Sequence, residues 1–184
     1  THKIQHRVVY VGGVTPRYGT QQLLKAINLL HKRGMDIKLS LVCRSEEMQN
    51  LKAQDLQKKW ITVFHASGDE QLASIYAGAD VGLIPLQRDF YMDFAICVKM
   101  FEYMGYGLPV ISTDCVETKR MIDRYECGLT CKDDPQSLAG AIARFYSDPE
   151  KIEEYRDNVA TAMSENQWRN RAQKVVDDLS ALKK

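Results

Sequence analysis

The sequence predicts a doubly wound, mostly parallel α/β sheet of about six strands, with helices on both faces and extra helices at its C-terminal end. Three observations predict it. Short apolar runs rich in β-branched residues, at 7–11, 37–43, 61–64, 81–85 and 109–113, alternate with helical patterns along the chain. Most of these runs are apolar throughout, as strands buried on both faces are. At 184 residues, 45% hydrophobic and 27% charged, the chain is long enough to bury a sizeable core as one domain, and no repeat, low-complexity tract or linker interrupts it.

The first strand, 7–11, closes on Gly12-Gly13, where the backbone must turn sharply or approach something closely. Thr20 is expected to cap a helix whose apolar stripe is Leu23, Leu24, Ala26, Ile27 and Leu30, with Gly34 as its stop. The second strand ends at Cys43-Arg44. Ser45 then caps a polar helix reaching about Lys58, with Glu46 and Glu47 in the first turn, where the dipole favours them. A third strand leads through the small-residue loop His65-Ala66-Ser67-Gly68 into a helix over 70–77. The fourth strand leaves by a long loop, 86–93, rich in aromatic and charged side chains, and long loops usually carry function. A helix ending at Gly105 feeds through Pro109 into the fifth strand, and a helix over 118–124 precedes a short edge strand at 128–130. Asp134-Pro135 and Asp148-Pro149 are cap-plus-proline starts for helices over 136–147 and 150–165. A last amphipathic helix over 168–182 gathers Ala172, Val175, Val176, Leu179 and Leu182 on one face.

A net charge of +1 without a basic run argues against a nucleic-acid partner, and no apolar segment approaches the length of a membrane span. Cys43, Cys97, Cys115, Cys127 and Cys131 are odd in number and scattered, so they read as reduced thiols in a cytoplasmic protein. No metal-ligand spacing occurs. The chain opens on Thr1-His2-Lys3-Ile4 without an initiator methionine and is expected to be part of something longer.

In a doubly wound sheet, ligands bind outside the carboxyl ends of the strands, where strand order reverses. Loops 12–19, 43–46, 65–68, 85–93 and 113–117 therefore share one edge. Gly12 to Gly19 is glycine-rich but matches neither G-x-G-x-x-G nor a P-loop; it is either a plain turn or a place where backbone N–H groups and Arg17 meet phosphate. A dinucleotide site wants an acidic residue where Arg44 stands. His65 is the lone histidine at a strand end, and Ser67 sits in no nucleophile motif. Asp89 and Asp93 are candidate acids, or simply solvated loop carboxylates. Lys99 and Glu102 share a helix face, and a lysine in a first helical turn is disfavoured unless an anion docks there. Two readings stand for this pair: an anion site, or a surface ion pair.

Taken in order, Tyr10-Val11-Gly12-Gly13 with Tyr18-Gly19, Leu39-Ser40-Leu41-Val42, Ala79-Asp80-Val81-Gly82-Leu83-Ile84-Pro85-Leu86, the segment Phe101-Glu102-Tyr103-Met104-Gly105-Tyr106-Gly107-Leu108-Pro109-Val110-Ile111-Ser112-Thr113, and Gln167-Trp168 carry a resemblance across the chain. They resemble the donor-binding, C-terminal, Rossmann-like domain of GT-B glycosyltransferases, in particular the family 4 retaining enzymes. The resemblance implies a UDP- or GDP-sugar donor, no cofactor and no metal. It makes Glu102 the second carboxylate of an E-x₇-E motif, on the ribose, and implies an acceptor glycan or lipid-linked glycan held by an N-terminal domain that this chain lacks, with peripheral association at the inner membrane face. The first glutamate of that motif falls at Phe94, with Asp93 beside it as a substitute. The family's basic residues after the first strand fall near Gly13 and Tyr18, so a diphosphate lysine relocated to Lys99 is the preferred account. The implied site is Gly12, Gly13, Arg17, Cys43, Arg44, His65, Ala66, Lys99 and Glu102, with Lys99, Glu102 and Asp93 in catalytic roles. The isolated domain is expected to bind donor weakly and to turn nothing over. A non-catalytic nucleotide-sugar module and a sugar-nucleotide epimerase of the same fold stay open, with a nicotinamide-dependent oxidoreductase last.

Overall fold

The computed structural model describes residues 3–66, 68–166 and 168–181; His2, Ser67, Gln167 and Leu182, which figure in the sequence reading, lie outside them. Six strands, β1 (Arg7–Val11), β2 (Lys38–Val42), β3 (Ile61–Phe64), β4 (Val81–Ile84), β5 (Val110–Thr113) and β6 (Gly128–Cys131), form one sheet in the order β3-β2-β1-β4-β5-β6. Every pairing is parallel, so all the carboxyl ends meet one edge. The chain winds outward from β1 to β3, then crosses back to β4. Strand order thus reverses between β1 and β4. These two strands pair only at Val8↔Val81 and Val9↔Gly82, whereas β1 and β2 stay in register along the whole of β1, so a crevice opens beyond Val9.

The α-helices are α1 (Thr20–Lys32), α2 (Ala53–Leu56), α3 (Asp69–Ala77), α4 (Phe90–Phe94), α5 (Val98–Gly105), α6 (Val116–Tyr125), α7 (Pro135–Tyr146), α8 (Pro149–Asn166) and α9 (Trp168–Ala181). Alternation along β1 sends Val8 and Tyr10 to one face and Val9 to the other. The first face packs against α1 and α7 through Leu23, Ile27, Ile142 and Phe145, and the second against α3, α5 and α6 through Tyr76, Met100, Met104 and Ile122. The proline starts hold: Asp134 accepts the Ser137 N–H at 2.9 Å, and Asp148 accepts the Lys151 N–H at 3.1 Å. All five cysteines are free thiols, and burial pushes Cys127 up to about 11 and Cys131 to about 12.

Three local expectations change. Thr20 does not cap α1: Gly19, left-handed at φ 66°, takes that position, and the fully buried Thr20 hydroxyl turns back to the Gly13 carbonyl. The polar segment 45–58 is not one helix but a 3₁₀ stretch, Ser45–Asn50, followed by the short α2. It carries no 3.6-residue apolar stripe, and burying Leu51 forces extended backbone at Lys52 between the two pieces. The long loop 86–93 coils into α4, started by the Asp89 carboxylate accepting the Met92 N–H at 2.8 Å. On α5 the fully buried aromatic is Tyr103, whereas Phe101 is only partly covered.

Candidate active site at the strand-order reversal

One side chain fills the crevice between β1 and β4. Gly82 lacks a Cβ where one would overlap the Tyr103 ring, and that absence admits the ring against the sheet. The Tyr103 hydroxyl accepts the Val11 N–H at 2.9 Å and donates to the Leu83 carbonyl at 3.3 Å. It bridges the two strands where their own ladder stops. Burial raises its phenol well above the ordinary value, so it stays a neutral donor.

One turn back on α5, Lys99 extends over the turn after β1. A Cβ on Gly12, whose φ is +152°, would overlap Lys99 Cε, so the glycine makes room for the lysine stem. The ammonium stands 5.0 Å from the centre of the Tyr18 ring. Among the described residues the Lys99 ammonium has no ion-pair or hydrogen-bond partner, and the surface pair with Glu102 does not form. The turn itself is tied down on three sides. Gly12 N–H donates to Val42 at 2.9 Å, the Tyr10 hydroxyl to Gly13 at 2.6 Å, and Val14 N–H to Glu47 Oε2 at 2.8 Å.

Beside this turn a cleft of about 630 Å³ opens along the ends of β1, β2 and β3. Its lining brings together Gly12, Gly13, Cys43, Arg44, His65 and Ala66 from the predicted set, with Tyr18, Glu46 and Glu47 beside them. His65 Nδ1 lies 3.0 Å from the Cys43 carbonyl, which can only accept; His65 therefore donates and ties the β2 and β3 exits together. Burial raises the Cys43 thiol, assisted by the Glu47 charge.

Three predicted residues stand elsewhere. Arg17 points away from the glycine turn: its guanidinium pairs with Asp89 at 3.1 Å and lies over Tyr91 at 5.4 Å. The cause is packing, because a Cβ on Gly19 would collide with the Pro85 carbonyl and Gln87 N–H bonds to the Arg17 carbonyl at 2.9 Å, so this turn is pinned to the β4 exit. Asp93 is already engaged. Arg88 holds both its oxygens, at 3.1 and 3.0 Å, and Val116 N–H donates to it at 3.2 Å, joining α4 to the start of α6. The Arg88 hydrogen bonds hold the Asp93 carboxyl below the usual range. Glu102 is exposed on α5 outside the cleft lining, and its charge adds to the burial that raises Tyr76. Phe94, where a carboxylate was expected, is 67% exposed and stacks edge-to-face on Phe90 at 4.7 Å.

Sequence does not single out Tyr103, Tyr18 or Glu47. For Tyr103 the signal was available: a glycine inside a buried strand, Gly82, marks a close approach. Tyr18 enters the sequence reading only as a position where a basic residue was expected and Glu47 only as a first-turn acid, since their placement depends on where the 3₁₀ turns fold. Among the described residues no group of three or more His, Cys, Asp or Glu is placed to hold a metal, and no helix is long and apolar enough to cross a membrane.

Sheet, crevice and unpaired lysine ammonium define a doubly wound α/β domain with a candidate site at the strand-order reversal. The chain belongs to the Glycosyl transferases group 1 family, which matches residues 5–148. Solved structures share the fold. Sucrose-phosphate synthase from Thermosynechococcus elongatus aligns at TM-score 0.72 and 23% identity, over 96% of this chain and 45% of that one. The pneumococcal O-GlcNAc transferase GtfA, solved with UDP and GlcNAc, gives 0.73 and 16%, over 96% and 36%. The C-terminal domain of the glycosyl transferase group 1 protein LpcC from Francisella tularensis gives 0.69 and 16%, over 89% and 86%. This chain thus spans less than half of the first two. No curated protein matches it.

Proposed function

We propose that this chain is the donor-binding half of a retaining, family 4-like glycosyltransferase, taking a UDP- or GDP-sugar whose sugar passes to a glycan or lipid-linked acceptor held by another domain. The observation that carries the reading is the unpaired Lys99 ammonium over the Gly12-Gly13 turn at the strand-order reversal. A diphosphate laid across that turn would meet the ammonium, while the adjoining cleft takes the nucleoside between the β2 and β3 exits. As the bond from the sugar to the leaving phosphate breaks, charge grows on the phosphate oxygen, and a fixed cation stabilises that charge more than the ground state. Glu102 is assigned to the ribose hydroxyls by the resemblance alone. Asp93 is assigned to anchoring α4, because Arg88 already holds it.

Calorimetric titration with UDP, GDP, ADP, their sugar conjugates and the free nucleosides tests this. Lys99→Ala should weaken a nucleoside diphosphate by about 10- to 100-fold and the free nucleoside little. Equal losses would remove Lys99 from the phosphate. Glu102→Gln should weaken the nucleoside, and unchanged affinity would retire the ribose assignment. A second reading, a nucleotide-sugar module without chemistry, rests on the exposed Phe94 in place of a carboxylate. Donor binding without release of nucleoside diphosphate, in a protein carrying both domains, would favour that module.

A further inference from the structure

The Lys99 ammonium keeps its place without a carboxylate, and the surroundings show what holds it. The Tyr18 ring lies beneath it at 5.0 Å, and the same ring packs against Gly13, where a Cβ would stand 2.9 Å from the ring carbons. Tyr18 ends a 3₁₀ turn, Pro16–Tyr18, whose N–H donates to Thr15 at 3.1 Å, and its ring reaches both core clusters, so it is a fixed platform rather than a swinging side chain. Among the described residues no carboxylate pairs with the ammonium: Glu47 turns its Oε2 to the Val14 N–H, and Glu102 makes no pair with Lys99. Arg17, the neighbouring cation, is drawn off by Asp89 and Tyr91. From this we infer that Tyr18 is the positioning residue for the diphosphate cation: its π face holds the Lys99 ammonium over the glycine turn.

An aromatic face suits this task better than a carboxylate would. A ring attracts an ammonium through its quadrupole but carries no net charge, so it orients the cation without neutralising it and without repelling an arriving diphosphate. A carboxylate in that position would compete with the phosphate for the same ammonium. Gly12 supplies the other half of the device, because only a residue without a Cβ leaves room for the lysine stem. The inference rests on the reading of Lys99 as the diphosphate cation, and its test separates the two.

The first measurement needs no nucleotide. In the free protein the Lys99 ε-methylene, followed by carbon-13 NMR of labelled lysine and assigned with Lys99→Ala, should be shifted upfield by the Tyr18 ring current; Tyr18→Phe should keep the shift and Tyr18→Leu should abolish it. An unshifted Lys99 signal overturns the inference, whatever binds. The second measurement titrates wild type and variants with UDP, GDP and inorganic pyrophosphate, with uridine and guanosine as controls. Tyr18→Leu should weaken the diphosphates by about three- to tenfold and the nucleosides little, Tyr18→Phe should restore affinity, and Tyr18→Leu should add nothing on top of Lys99→Ala. Additive losses, or equal losses for diphosphate and nucleoside, would overturn it. A ring-shifted Lys99 in a protein that binds none of the diphosphates would instead bring down the donor-binding reading, and the role of Tyr18 with it.

Discussion

Tyr103 shows how one side chain can set the geometry of a functional edge. Its hydroxyl satisfies the Val11 N–H where the β1–β4 ladder has ended, so on the β4 side the last peptide before the glycine turn is held by a side chain, with β2 holding the other side. Tyr103→Phe removes that acceptor while keeping the ring over Gly82. The part-buried Val11 N–H then loses its partner, at a cost of up to about 1–3 kcal/mol, measurable as a lower urea midpoint with unchanged slope. Hydrogen exchange at Val11 should quicken more than at Val8, and equal protection at both would mean that the hydroxyl does not hold this end of β1. Lys99, four residues earlier on α5, depends on the same docking, so loosening Val11 should also weaken diphosphate binding.

At the scale of elements, a side-chain cap starts α4, α7 and α8, whereas α1, α2, α3, α5 and α6 begin without one. The Asp134 carboxylate starts α7 by accepting both the Ser137 N–H and the Ser137 hydroxyl, at 2.9 and 2.7 Å, and these bonds lower its pKa from the ordinary carboxylate value. A lowered folded pKa means that the cap's contribution is complete above the unfolded carboxylate range and is lost as pH falls through the folded value. Asp134→Ala should therefore cost about 1 kcal/mol at neutral pH, and the gap from wild type should close below roughly pH 4. Denaturant unfolding across a pH series measures it, and a gap that survives in strong acid would assign the loss to something other than the charged cap. The 3₁₀ stretch Ser45–Asn50 illustrates the opposite case, where a polar segment with helix-favouring acids at its start still breaks up because Leu51 must reach the core.

For the whole molecule, the telling contrast lies between α8 and α9. Ile152 and Val159 of α8 are fully buried, whereas Val175, Val176 and Leu179 of α9 are 57%, 55% and 56% exposed. Of the amphipathic face that the sequence draws over 168–182, the described residues Val175, Val176 and Leu179 stay exposed instead of joining this domain's core. Ile152→Ala should accordingly cost about 2–5 kcal/mol, while Leu179→Ser should change unfolding by no more than about 0.5 kcal/mol. A Leu179→Ser loss above about 1 kcal/mol would show that this face is packed in the isolated chain.

The sequence by itself determined the strands, their alternation with helices, the proline-led starts of α7 and α8, and the edge on which the candidate site lies. Those properties follow from local apolar periodicity and turn chemistry, and parallel winding then brings the strand exits together without further information. It also marked Gly12, Gly13, Cys43, Arg44, His65 and Ala66, because strand exits share one edge whatever the side chains do. Only the tertiary structure decided which way the charges point. Arg17 and Lys99 are both cations near the glycine turn, yet packing of Gly19 on Pro85 sends one to Asp89, while the missing Cβ of Gly12 and the Tyr18 ring admit the other over the turn. Such choices depend on contacts between segments far apart in the chain, and no local pattern carries them.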